Sequence, residues 1–172
     1  MAQELNLKVN HIVAESTNIL STNFGGGHIY SVEIAEDMDN GLLVARSEYA
    51  SEEYQDEVWV AKDYAKGDEP LLLLNPPTMP FTEVRGYATE DKFYNAAGDR
   101  VRAYTLRVGD RITLSENAFD KTPAEKQYVT FDAAGKKYIV GDAKDDTQFC
   151  AQVLTKIYRT NMVMYKLQVV SL

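Results

Sequence analysis

The chain has 172 residues, with 18 basic and 26 acidic side chains and a net charge of −8. That length fits one domain able to bury a sizeable core without a metal or disulfide staple. The acidic balance argues against general binding to phosphate backbones, which takes clustered Lys and Arg, and a single cysteine, Cys150, excludes an internal disulfide. No basic stretch followed by an apolar core opens the chain, so no secretory signal is expected. The longest apolar run, residues 71–74, is too short to cross a bilayer.

Residues 1–28 read differently from the rest. They are polar with scattered aliphatics, and Leu5, Leu7 and Val9 alternate. Asn23-Phe24-Gly25-Gly26-Gly27 then supplies three consecutive glycines. No Gly-Lys-Ser/Thr follows them, so a hinge is expected rather than a phosphate-cradling loop. The expectation is an extended N-terminal arm and hinge over residues 1–28, followed by one β-rich domain over residues 29–172.

Within that domain residues 29–34 and 42–46 have strand patterns. Asn40-Gly41 lies between them and predicts a hairpin, because both residues tolerate positive φ. The acidic run 36–41 faintly resembles a calcium loop, but strands flank it and its glycine falls one place early. Residues 51–57 are acidic and compatible with one helical turn. Residues 58–61 form a short strand carrying Trp59, the only tryptophan, as a core residue or partner anchor. Residues 71–74 form a buried strand, stopped by Asn75-Pro76-Pro77.

Residues 93–114 organise the chain. Val101, Ala103 and Thr105 alternate with Arg102, Tyr104 and Leu106; Gly98-Asp99 precedes them and Gly109-Asp110 follows. This is a strand, a tight turn and a second strand over residues 111–114. Residues 128–131 and 137–140 flank Asp132-Ala133-Ala134-Gly135 as a hairpin, and residues 149–158 and 162–170 are long strands joined at Arg159-Thr160-Asn161. Turn signals every 8 to 15 residues argue for an antiparallel β-barrel or sandwich.

Catalytic constellations are not visible. His11 and His28 have no Cys or carboxylate at ligand spacing, and no nucleophile elbow, zinc-protease helix or dinucleotide fingerprint occurs. No enzyme activity, cofactor or metal is expected. Arg100, Arg102, Arg107 and Arg111 form the one basic cluster, with Arg100 and Arg102 on one strand face. They balance charge or meet an acidic partner surface. Eleven tyrosines and Trp59 also leave room for sugar stacking.

The order Val58-Trp-Val-Ala-Lys62, then Leu71-Leu-Leu-Leu-Asn-Pro-Pro77, then the block from Phe93 to Arg111 with its Arg-Ala-Tyr and Val-Gly-Asp, resembles small structural proteins of tailed phages. Proteins of that kind serve as capsid decoration, or cement, proteins. The similarity covers roughly residues 55–172 and rests on a strand-turn-strand motif. The resemblance implies a non-enzymatic virion protein on the capsid exterior. Its partners would be the major capsid protein and neighbouring copies of itself, with no nucleic acid or membrane. Leu5, Leu7, Val9, Ile12 and Phe24 of the arm, with Arg100 and Arg102, are the candidate capsid contacts. The alternatives are another virion part (head fibre base, tail or baseplate) or a carbohydrate-binding β-sandwich.

Overall fold

A computed structural model describes residues 10–22, 28–50, 57–76, 90–159 and 162–172. In chain order the strands are β1 (Ala14–Asn18), β2 (Ile29–Glu33), β3 (Leu43–Tyr49), β4 (Val58–Asp63), β5 (Leu71–Leu73) and β6 (Arg100–Thr105). There follow β7 (Arg111–Ser115), β8 (Tyr128–Asp132), β9 (Lys137–Gly141), β10 (Cys150–Arg159) and β11 (Met162–Ser171). Short 3-10 turns lie at Leu20–Thr22, Glu90–Lys92 and Glu116–Ala118. Five strands close into a barrel in the order β2-β4-β3-β5-β6, and six form a sheet in the order β1-β7-β11-β10-β8-β9. The fold is therefore mainly β and mostly antiparallel; β2 and β4 are the parallel pair.

Strand register explains how one core serves both sheets. Val32 sits opposite Val101, Leu73 opposite Ala103, and Leu71 opposite both Val44 and Thr105. Directly opposed residues share a face, and all of these are at most 1% exposed, so they fill the barrel. The opposite face carries Leu43, Leu72 and Tyr104, again cross-strand partners and again buried. A wall apolar on both faces must be covered from outside. The cover is the six-stranded sheet, whose Ile112, Leu114 and Leu167 belong to the same buried cluster. Further along the wall the outward face turns polar, with Ser31 opposite Arg102 and Glu33 opposite Arg100.

Two expectations are corrected here. Asn40-Gly41 does make a turn, with Gly41 at φ +87°, but the strands it joins do not pair. β2 pairs with β4 and β6, and β3 pairs with β4 and β5. The turn instead presses into the six-stranded sheet. The strand, turn and strand expected over residues 101–114 is present, and because β6 and β7 lie in different sheets the Gly109 turn is where the chain leaves the barrel. Asp110 fixes that crossing. Its carboxylate, 5% exposed, accepts the backbone N–H of Arg107 at 2.8 Å and of Leu20 at 2.9 Å. Second, the described part of residues 1–28 is built into the body. β1 pairs with β7, and Ile12, Val13 and Ile19 are buried. The Gly25–Gly27 hinge lies outside the described residues.

The C-terminal hairpins match expectation: β8 pairs with β9 around 132–137, and β10 with β11 along their length. Cys150 is a buried free thiol, with its pKa raised by that burial. No helix among the described residues is long and apolar enough to cross a membrane.

Candidate attachment surface

The segment leading into β1 is fastened by groups from three distant stretches. The His11 backbone N–H donates to Asp91 O at 2.9 Å, and the Ile12 N–H donates to Asp39 Oδ2 at 2.9 Å. The Val13 N–H donates to the Ser115 hydroxyl at 2.8 Å, while the Ser115 N–H returns to Val13 O at 2.9 Å. The His11 ring stacks on Tyr94 at 5.2 Å, and its Nδ1 lies 2.7 Å from Asp39 Oδ1. An ionised carboxylate only accepts, so Nδ1 carries the proton. Asp39 is thus spent on two N–H donors, and Asp37 accepts the Ala97 N–H at 2.9 Å. The acidic 36–41 run is working as turn and anchor chemistry. Among the described residues no group of three or more His, Cys, Asp or Glu is placed to hold a metal.

A buried polar network holds the anchor. Asn40 accepts the Asn75 N–H at 2.9 Å and donates to Asn75 O at 2.8 Å. Asn95 donates to Met38 O at 3.0 Å and to Asn40 Oδ1 at 3.2 Å. From β9, the Tyr138 hydroxyl donates to Gly41 O at 2.6 Å. Complete burial pushes the Tyr138 pKa upward, so the phenol stays a donor.

The candidate contact residues divide. Arg100 and Arg102 do share the exposed outward face of β6, as alternation predicted. Ile12 is 4% exposed and has no surface to offer a partner. Leu5, Leu7, Val9 and Phe24 lie outside the described residues. Sequence reading missed a cluster on the inward register of the barrel. The Arg46 guanidinium lies 4.6 Å from the Tyr30 ring and 4.9 Å from Trp59, with Glu69 at 3.5 Å. Tyr49, 52% exposed, meets Trp59 edge-on at 5.2 Å. Arg46 and the rings come from three strands and Glu69 from the connection between β4 and β5, so no local spacing could have announced them.

A cleft of about 440 Å³ runs along β1. One side is residues 12–16 and the other includes Leu74, Asn75, Pro76 and Tyr104; Arg159, which pairs with Glu15, closes one side.

The class defined by this geometry is a five-stranded, mostly antiparallel β-barrel packed on a six-stranded antiparallel sheet. Comparison with protein-family models, curated proteins and solved structures finds no match for this chain.

Proposed function

We propose that this chain is a capsid decoration protein of a tailed phage, bound to the outer surface of the head at joints between major capsid protein subunits. The observation that carries the reading is the root of the N-terminal segment. Residues 11–13 make backbone hydrogen bonds to Asp39, Asp91 and Ser115, so a pull on the segment ahead of them is borne by the whole β body. A segment rooted in this way in a rigid body suits a protein whose task is adhesion between neighbours. The resemblance of the 93–111 block to phage structural proteins points the same way. Arg100 and Arg102 supply a basic face for an acidic patch on the shell.

The sugar-binding alternative is less well supported. Arg46 occupies the ring faces of Tyr30 and Trp59 on which a sugar would stack.

The test is particle composition and attachment. The protein is expected in purified heads, in register with the outer lattice by cryo-EM. Deleting residues 2–9 is expected to lower its occupancy about tenfold or more while its melting temperature stays within a few degrees. Heads that lack the protein altogether, or bind the shortened form at full copy number, would refute the reading.

A further inference from the structure

We propose that the cleft beside β1 accepts the N-terminal segment of a second copy of this chain, added as an extra strand at the open edge of the six-stranded sheet. The argument starts from hydrogen-bond parity. Ser115 donates to Val13 O, and β1 runs antiparallel to β7 with Glu15 opposite Thr113. In such a ladder bonded pairs alternate with unbonded ones. Val13 and Glu15 therefore face β7, and the N–H and C=O groups of Ala14 and Ser16 face away from it. No partner among the described residues takes those groups. They open into the 440 Å³ cleft, whose lining mixes apolar Ala14, Leu74 and Pro76 with polar Asn40, Asn75 and Arg159. A row of unpaired backbone groups along a cleft that is part apolar and part polar is a template for strand addition.

The chain itself carries a matching strand. Leu5, Leu7 and Val9 fall on one face; Glu4, Asn6 and Lys8 fall on the other. In a strand added to β1 the aliphatic face lies toward Ala14 and the core. The polar face then lies on the side of Glu15, where Lys8 has a carboxylate to meet.

The same copy is poorly placed to fill its own cleft. Its segment runs directly into β1, so a return along that strand needs a reversal within residues 10–13. The backbone N–H groups of His11, Ile12 and Val13 are already bonded to Asp91, Asp39 and Ser115, and a reversal there gives them up. A second copy meets no such obstacle. Each copy offers one segment and one edge, so exchange makes closed dimers or an extending chain. The inference goes beyond the attachment reading and stands or falls apart from it, because it is tested without any phage particle.

The experiment uses the full chain. Leu5→Cys, Leu7→Cys and Val9→Cys variants are each mixed with a Ser16→Cys variant and mildly oxidised; the native Cys150 is fully buried and does not compete. A disulfide between the two different chains is expected for one of the three. In parallel, a synthetic peptide of residues 1–10 is expected to bind protein lacking residues 2–9. Ser16→Pro should weaken that binding about tenfold or more by removing the outward N–H. It should leave circular dichroism unchanged, because that N–H does not serve β7. Absence of any inter-chain disulfide overturns the proposal, as does closure only within a single chain carrying both cysteines. Peptide binding that Ser16→Pro leaves intact also overturns it.

Discussion

Gly41→Ala tests whether barrel and sheet meet where the geometry says. Gly41 has φ +87°, and a Cβ built there lies 2.7 Å from Leu114 Cδ2 and 2.8 Å from Ala14 Cβ. Neither neighbour yields easily, since Leu114 is fully buried in β7 and Ala14 is part of the β1 backbone ladder. The left-handed conformation costs a residue with a Cβ roughly 1–2 kcal/mol. Overpacking a filled core adds about 1–3 kcal/mol. The sum, around 3 kcal/mol, is a large share of the 5–15 kcal/mol typical of a domain and corresponds to a fall in Tm of roughly 6–12 °C. The control is Gly109→Ala. Gly109 has φ +100° with nothing within 4 Å of the added atom, so it carries the conformational cost alone. Urea unfolding of both variants, read at unchanged m-value, isolates the packing part. Equal losses within about 0.5 kcal/mol would refute the claim that the Asn40-Gly41 turn is wedged against β1 and β7.

Three further outcomes are expected. Tyr138→Phe strands the buried Gly41 carbonyl and should cost about 1–3 kcal/mol in urea unfolding. Burial raises the folded pKa of Tyr138 above its unfolded value, so its contribution is complete below pH about 10 and is lost as pH climbs further; the Phe variant should lose less stability than wild type over that alkaline range, and parallel profiles would contradict the assignment. Asp110→Asn leaves one of two backbone N–H groups facing an amide nitrogen and should cost about 1–3 kcal/mol, with a loss under about 0.5 kcal/mol counting against it. Arg46→Ala should red-shift the emission of Trp59, the only tryptophan, with a loss of about 0.5–2 kcal/mol; an unchanged spectrum would place the guanidinium elsewhere.

Much of the strand set was legible because strands and turns are local. Asp132-Ala133-Ala134-Gly135 joins two strands that do pair, and the alternation of 101–105 put Arg100 and Arg102 on one exposed face. Turn chemistry, however, says where a chain bends and not which strand it meets afterwards. Asn40-Gly41 reads as a hairpin turn, yet Gly41 gives its carbonyl to Tyr138, 97 residues away. The same limit hid the fate of Ile12. It follows the alternating Leu5, Leu7 and Val9 in a polar stretch that reads as an arm, and its burial depends on Asp39 and Ser115, which no neighbouring residue foretells. The Arg46 cluster was illegible for that reason too, since each of its aromatic partners sits on a different strand.

The pairing of β1 with β7 also dictates an order of assembly in time. Ala14 lies opposite Leu114, so everything from β2 to β6 is translated between the two strands of one ladder. At ribosomal speeds of about 5–20 residues per second, β1 waits roughly 5–20 s before its partner exists. During that interval both of its edges are bare and the barrel must close without the sheet that later covers its Leu43, Leu72 and Tyr104 wall. Newly made chains crowded on one message therefore present to one another the same strand that, once β7 arrives, keeps one side without a partner strand among the described residues.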